Sequence, residues 1–174
     1  NYYKQVLELD PGEATSHYNM GNALQAEGSF DAAIESYKQA LKINPDDIEA
    51  YNNIGVVMRT KGDLNAAMES YKQAIRIDPS CAEAHHNLGT ELQQMGELGA
   101  AIESFKKALI ANPDYDSARV AKLYSQAKIC DWAAIEQDRH LIPDLGTVTG
   151  QTIRPFVFTF LEDAPERHLL RSKS

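Results

Sequence analysis

Four prolines recur at a fixed interval along the chain. Pro11, Pro45, Pro79 and Pro113 are equally spaced, so the sequence has a constant period. A period of about 34 residues is typical of a repeat protein, in which each unit is one small supersecondary element stacked on its neighbours. Stacked units bury a continuous core and present long surfaces, so the period favours an elongated solenoid that binds other chains over a catalyst.

Within the period, the same positions carry the same kinds of residue in three consecutive units. Counting from Ala14, Ile48 and Ala82, positions 4, 7, 8 and 11 share one face of a helix, and positions 20, 24 and 27 share one face of a second helix. The pattern therefore predicts two helices per unit, with small residues where they approach and an aromatic ring between them. The small and aromatic residues are Gly21, Gly55 and Gly89; Ala33, Ala67 and Ala101; Tyr37, Tyr71 and Phe105; Ala40, Ala74 and Ala108.

The ends of the helices also have signals. A glycine at position 15 predicts a left-handed residue that ends each first helix. Ser29 and Asp63 come next and are predicted N-caps of the second helices. We expect Asp46 and Asp47 in the first turn of the following helix, where negative charge suits the helix dipole. The position-15 glycines are Gly28, Gly62 and Gly96.

These repeats resemble the tetratricopeptide repeat family. Eight positions agree in three consecutive units, but the family's usual tryptophan at position 4 is replaced by His17, Tyr51 and His85, and its usual tyrosine at position 11 is aliphatic. The resemblance implies an all-α, right-handed solenoid of antiparallel helix pairs. It also implies that the first helices line a concave groove in which peptides bind.

The period divides the chain into segments. We expect residues 1–13 to be the second helix of an earlier unit, with Tyr3, Val6 and Pro11 at its positions 24, 27 and 32. This incomplete unit indicates a fragment of a longer array, and its open end is a candidate site of self-association. Complete repeats are predicted at residues 14–47, 48–81 and 82–115. Divergent capping helices are predicted at 116–142, followed at 143–174 by a loop, an apolar segment and a short helix.

The region after Pro113 departs from the period, and we expect no further unit there. Asp116–Lys128 is predicted to be a helix whose apolar side includes Leu123 and Tyr124. Cys130-Asp131-Trp132, followed by Pro155-Phe156, resembles the junction of O-GlcNAc transferases. In that family the repeats lead into a glycosyltransferase domain. Such a domain needs several hundred further residues, so we place no catalytic residue on this chain and predict that it is not itself an enzyme.

Composition limits the kinds of partner. The chain has 174 residues, 43% apolar content and a net charge of −8. Its acidic repeats disfavour nucleic acid, which needs clustered Lys and Arg, and no stretch approaches the ~20 apolar residues of a membrane span. Cys81 and Cys130 form no paired motif, which indicates a reducing, cytoplasmic compartment. We expect Cys130 to pack in the core and Trp132 to be a buried anchor.

Asparagine occupies position 6 of all three repeats, as Asn19, Asn53 and Asn87. On the concave side these amides would form a ladder that grips a peptide backbone, because each offers one acceptor and two donors. The O-GlcNAc transferases have such a ladder, which holds extended protein substrates. The alternative is that these residues are exposed filler or bond within the array. Weaker groove candidates at positions 5 and 9 are Tyr18, Asn52 and His86, and Asn22, Val56 and Thr90.

Other chemistries have less support in the sequence. The histidines lack the spacing of three or four residues that metal ligands need on one helix face, so we predict no metal or other cofactor. A clamp for an acidic tail needs groove cations, and Tyr18, Glu83 and the asparagines supply none. The sequence therefore predicts a protein-interaction scaffold, as the substrate-recruiting arm of an O-GlcNAc transferase-like enzyme or as a free-standing adaptor.

Overall fold

The computed structural model describes residues 12–137, and within them the chain forms eight α-helices and no strand. The predictions for the first half-unit (Tyr3, Val6 and Pro11) and for residues 143–174 lie outside the described residues. The helices are α1 (Ala14–Ala26), α2 (Phe30–Ile43), α3 (Ile48–Thr60), α4 (Leu64–Ile77), α5 (Ala82–Gln94), α6 (Leu98–Ala111), α7 (Asp116–Lys128) and α8 (Trp132–Gln137).

Helices pair as the repeat pattern predicts, α1 with α2, α3 with α4, and α5 with α6. The aromatic ring at position 24 is completely buried in each pair. It lies directly against the position-8 glycine of the partner helix. A Cβ atom added to Gly55 would lie 2.4 Å from the Tyr71 ring, so only glycine allows the two backbones to approach this closely. These contacts confirm the predicted all-α repeat architecture.

The predicted helix ends are mostly confirmed. Gly28, Gly62 and Gly96 have φ values of 78°, 85° and 82°, in the left-handed region. Asp63 caps α4 by accepting the Ala66 N–H at 3.0 Å. Ser29 stands at the N-cap of α2, but its side chain makes no capping bond, so that part of the prediction is wrong.

The carboxylate of Asp47 plays a different part from the one predicted. It is the N-cap of α3 and accepts the Ala50 N–H at 2.9 Å. The residue therefore precedes the first helical turn instead of lying within it. Its negative charge still lies at the positive end of the helix dipole, as the sequence argument required.

The repeat register continues past Pro113. Helix α7 begins one full period after α5, and α8 begins one full period after α6. Between them Cys130, with φ 57°, occupies the place of the left-handed glycines. Residues 116–137 thus form a helix pair in the register of the repeats, within the span where divergent capping helices are predicted, and we call this pair the fourth repeat. The turn also explains why Cys130 is exposed instead of core-packed.

The side of α7 that packs on the array differs in detail from the predicted one. Leu123 is buried as expected, and Trp132 packs half-buried against the cluster that includes it. Tyr124 is 38% exposed, with the Lys128 ammonium 4.8 Å from its ring centroid. Lys122 is buried instead. Helix α7 is thus rotated so that a charged side chain, not the tyrosine, faces its neighbours.

The array curves with its first helices on the inside. Helix α3 contacts α5, and α5 contacts α7, whereas open grooves separate α2 from α4 and α4 from α6. The odd-numbered helices therefore form the concave side. No helix among residues 12–137 is long and apolar enough to cross a membrane.

Candidate functional site: the concave polar face

The inner side of the array is formed by four positions of each first helix, and eleven of the twelve residues there are polar, the exception being Val56. Positions 5, 9 and 12 are separated by about one helical turn each and so share a face, with position 6 beside them. We call these residues the concave polar face. They are Tyr18, Asn19, Asn22 and Gln25 on α1; Asn52, Asn53, Val56 and Arg59 on α3; and His86, Asn87, Thr90 and Gln93 on α5.

The asparagines of successive repeats are joined by hydrogen bonds. Asn53 Nδ2 donates to Tyr18 Oη at 3.1 Å and to Asn22 Oδ1 at 3.0 Å. Asn87 Nδ2 donates to Asn52 Oδ1 at 2.9 Å. In both cases position 6 reaches back to position 5 of the preceding repeat. The asparagine ladder is therefore also a set of bridges between repeats.

These bridges change what the asparagines can offer a ligand. Both amide hydrogens of Asn53 are used within the array, so its carbonyl oxygen is its remaining hydrogen-bonding group. Asn87 is 8% exposed and has one bond of this kind. Asn19 is half-buried, and its side chain makes no hydrogen bond to another described residue. The three predicted ladder residues thus share a position but differ in accessibility.

Tyr37 extends this network into the second helix of the first repeat. Its Oη lies 2.7 Å from Asn22 Oδ1 and 2.8 Å from Gln25 Oε1, and its single proton can be donated to only one of them at a time. Burial raises the pKa of Tyr37 to about 12, so the hydroxyl is neutral at physiological pH. The network therefore fixes α1, α2 and α3 relative to one another.

A cation lies on the concave polar face, contrary to the sequence prediction. The Arg59 side chain is 34% exposed, and its Nε lies 3.7 Å from Oε1 of the fully buried Glu91. The sequence did contain a signal, because Arg59 is seven residues after Asn52 and so lies on the same face of α3. The sequence prediction rests on positions 5, 6 and 9 and therefore does not include Arg59 at position 12.

Glu91, the partner of Arg59, is completely buried next to the concave polar face. Neither of its carboxylate oxygens has a hydrogen-bond partner among the described residues. Burial raises the pKa of Glu91, and the charge of Arg59 opposes that shift in part. The Tyr71 hydroxyl, coupled electrostatically to both charges, also lacks a hydrogen-bond partner there. The junction of the second and third repeats therefore holds a buried carboxylate and a buried hydroxyl without hydrogen bonds, besides the bond from Asn87 to Asn52.

Two of the weaker groove candidates take part in packing. The His86 ring lies 4.9 Å from the Tyr115 ring and 5.7 Å from the Phe105 ring, measured between centroids. Burial lowers the pKa of His86, which favours its neutral form. Thr90 Oγ1 donates to the His86 carbonyl at 3.0 Å within its own helix. These side chains support the groove wall more than they present groups to it.

The polar bridges continue into the fourth repeat by a different residue. Ala121 stands where the asparagine ladder would continue, and Gln93 takes over the link to α7. Its Nε2 donates to Ser125 Oγ at 2.6 Å and to the Ala121 carbonyl at 3.2 Å. The concave polar face is thus a row of hydrogen-bonding groups that recurs in each successive repeat. Such a row is suited to following an extended chain.

The comparisons with known proteins agree with this architecture. A family profile described as TPR repeat matches residues 21–62 and 57–96, and one described as tetratricopeptide repeat matches residues 82–115. Together the matches span more than half of the chain, which therefore belongs to the tetratricopeptide repeat family. No curated protein matches the sequence.

Several solved structures share the fold. MamA has a TM-score of 0.67 and 22% identity over 99% of this chain and 88% of its own. YrrB, described as a TPR protein with an unusual peptide-binding site, has a TM-score of 0.66 and 21% identity over 74% of this chain and 66% of its own. A mutant O-GlcNAc transferase of Thermobaculum terrenum has a TM-score of 0.59 and 26% identity over 66% of this chain, but only 22% of the transferase is covered.

Proposed function

We propose that the chain is an interaction scaffold whose concave polar face holds an extended peptide. The observation that carries the proposal is the use of the Asn53 amide hydrogens between repeats, which leaves its carbonyl oxygen as an acceptor. An extended peptide offers backbone N–H donors that such an acceptor can bind. Asn19, which is half-buried, and Asn87, which is 8% exposed, place amide groups one repeat to either side.

Recognition of this kind depends on the peptide backbone more than on its side chains. Main-chain hydrogen bonds supply affinity for many sequences, and side chains at neighbouring positions refine the choice. In this proposal Tyr18 and Asn22 contact the ligand beside the ladder, and Arg59 provides the charged group. Asn52 is buried and acts through its hydrogen bond to Asn87. His86 and Thr90 act indirectly, by holding the wall of the face.

The wider role is proposed in two forms. In the first, the chain is the cytoplasmic substrate-recruiting arm of an O-GlcNAc transferase-like glycosyltransferase, which is supported by the Thermobaculum terrenum neighbour and by Cys130-Asp131-Trp132. In the second, it is a free-standing adaptor, which is supported by the similarity to MamA over most of both chains. Sequencing the gene beyond the codon for Ser174 separates the two forms, since the first requires a glycosyltransferase domain in the same reading frame.

Peptide affinity tests the binding role directly. The variant Asn19→Ala/Asn53→Ala/Asn87→Ala should bind a panel of short, unstructured, fluorescein-labelled peptides about tenfold more weakly than the wild type, as measured by fluorescence anisotropy. The matched control replaces three exposed asparagines outside the first helices, in Asn44→Ala/Asn65→Ala/Asn112→Ala. That control should change affinity by less than about twofold.

A second measurement separates lost contacts from lost stability, because Asn53→Ala also removes bonds between repeats. Peptides methylated at alternate backbone nitrogens lose N–H donors without any change in the protein. They should bind the wild type about tenfold more weakly than their unmethylated counterparts. Equal binding of methylated and unmethylated peptides, or of the triple variant and its control, would refute the proposed mode.

A further inference from the structure

The outer side of the array carries two grooves at equivalent places in successive repeats. The first lies between α2 and α4 with α3 as its floor, and has a volume of about 520 Å³. The second lies between α4 and α6 with α5 as its floor, and has a volume of about 480 Å³. Lys38 and Ile54 in the first correspond to Lys72 and Leu88 in the second. We call these the outer grooves.

The floor and one wall of each outer groove carry apolar side chains. Leu41, Ile54 and Met58 line the first groove, and Ile75 and Leu88 line the second. Four of these five side chains are half-buried, so part of their apolar surface is in contact with solvent. Covering such surface stabilises a complex, because apolar surface is then removed from water.

The walls of the outer grooves carry exposed lysines without a direct ion-pair partner among residues 12–137. Lys38, Lys42, Lys72 and Lys107 line the grooves, are exposed, and form no ion pair with another residue in the range 12–137. The acidic Glu69 beside them is bonded to Arg76 at 3.1 Å. The lysines and arginines that do form ion pairs within this range are Arg59, Lys61, Arg76, Lys106 and Arg119.

The positive charge of the outer grooves is opposite in sign to the net charge of the whole molecule. The chain has a net charge of −8, yet its unpaired groove lysines are gathered in two equivalent places beside exposed apolar surface. We propose that the outer grooves are a docking surface for an acidic segment of another protein. Apolar side chains of the segment rest on the groove floors, and its carboxylates face the four lysines.

The two parts of the surface have different tasks. The apolar floors supply most of the affinity, and the lysines select an acidic partner and accelerate its encounter. Because the net charge of the protein repels an acidic peptide, binding of one depends on this local field. The surface lies on a different face of α3 from the concave polar face, so the two ligands can be held independently.

Designed peptides provide the probe. A fluorescein-labelled peptide that combines glutamate and leucine is compared with two counterparts, one with serine for leucine and one with lysine for glutamate. We expect the first to bind and each counterpart to bind at least about tenfold more weakly. Peptides with leucines two, three and four residues apart cover the possible spacings.

Two variants with the same change in net charge locate the site. Lys38→Gln/Lys72→Gln/Lys107→Gln should weaken binding of the glutamate–leucine peptide about tenfold, and Lys61→Gln/Lys106→Gln/Lys128→Gln by less than about twofold. The triple asparagine variant should bind this peptide as the wild type does. If the triple asparagine variant binds the short, unstructured peptides as tightly as its control does, the proposal for the concave polar face is wrong. The proposal for the outer grooves is unaffected by that result.

Several results would overturn the proposal. One is that no glutamate–leucine peptide binds better than its lysine counterpart. Another is that both lysine variants weaken binding equally, which would indicate a general charge effect. Equal binding of the serine counterpart, or full competition by heparin, would indicate a surface for polyanions. Loss of peptide binding as the protein dimerises, seen by light scattering, would assign the grooves to a second copy of the chain.

Discussion

Cys130 occupies a backbone conformation that the other repeats reserve for glycine. Its φ of 57° lies in the left-handed region, and the three preceding repeats place Gly28, Gly62 and Gly96 at the same position. A side chain with a Cβ is strained there by about 1 kcal/mol or more. The thiol is exposed and contributes no core packing in return.

Replacing this residue should therefore stabilise the protein. We expect Cys130→Gly to raise the free energy of unfolding by about 1 kcal/mol, because the strain is removed. Urea denaturation followed by circular dichroism measures the change. Gly96→Ala is the matched reverse test, since a Cβ there has no atom within 4 Å and only the backbone conformation is affected. Gly96→Ala should lower the free energy of unfolding by a similar amount. If Cys130→Gly has the same free energy of unfolding as the wild type, the turn is not strained.

At the left-handed position that ends each first helix, the spacing of the repeats predicts the backbone conformation better than the type of residue does. The glycines at position 15 could be assigned from sequence because glycine is the usual residue in a left-handed turn. Cys130 was assigned to the core because cysteine is usually buried. Cys130 lies one full period after Gly96, and this spacing indicates a turn instead of the core. The register of the backbone depends on the number of residues per repeat and not on the side chain.

At the scale of the helix, the three repeats treat the position-24 ring differently. The Tyr37 hydroxyl is bonded to side chains of α1, the Tyr71 hydroxyl has no hydrogen-bond partner among the described residues, and Phe105 has no hydroxyl. All three rings are fully buried. The ring is thus common to every repeat, while its polar atom depends on the residues of the neighbouring first helix.

A pair of matched substitutions tests this difference. Tyr37→Phe should lower the free energy of unfolding by about 1–2 kcal/mol, because it removes the donor of the Gln25 oxygen and one of the two donors of the Asn22 oxygen. Tyr71→Phe should leave the free energy within about 0.5 kcal/mol or raise it, because it removes an unpaired buried hydroxyl. Both variants are measured by urea denaturation. Equal losses in the two would contradict the hydrogen-bond assignments.

The helices themselves were predictable, but the bonds between them were not. Amphipathic spacing and glycine positions follow from the local sequence, so α1 to α6 could be derived from the period alone. The bond from Asn53 to Tyr18 joins residues 35 apart in sequence. It depends on how far one repeat is rotated relative to the next, which the spacing of residues within a repeat does not determine.

For the whole molecule, the rotation of each repeat relative to the next produces both the concave polar face and the outer grooves. First helices that contact one another produce the concave polar face, and second helices held apart produce the outer grooves. The sequence predicted the first surface through the asparagines at position 6. It did not predict the second, because Lys38 and Lys72 are ordinary exposed helix residues until the separation of α2, α4 and α6 is known.

Charge buried between repeats should also make the stability of the whole array depend on pH. The pKa of Glu91 is raised above its ordinary 4.5, so its favourable contribution is fully present below that pH and is lost as pH rises through the raised value. The pKa of His86 is lowered below 6.5, so its contribution is present above that pH and is lost as pH falls through the lowered value. The two residues therefore limit stability from opposite sides.

Comparison of Glu91→Gln with the wild type isolates the first of these effects. At pH 8 the variant should be more stable by about 1–3 kcal/mol, because it lacks an ionised carboxylate that no hydrogen bond supports. The difference should shrink as pH falls and vanish near pH 4, where the wild-type carboxyl is protonated. Arg59 keeps contact with solvent and so remains hydrated without its partner.

The control for this experiment is a carboxylate with the opposite behaviour. Lys106 lowers the pKa of the exposed Glu103, mainly through a hydrogen bond, so Glu103→Gln should not stabilise the protein at any pH. Urea denaturation at pH 4, 6 and 8 compares the three proteins. A Glu91→Gln variant that is less stable at pH 8 would show that attraction to Arg59 outweighs the desolvation of the carboxylate. In that case the pair would clamp the second repeat to the third, and the concave polar face would depend on it for its shape.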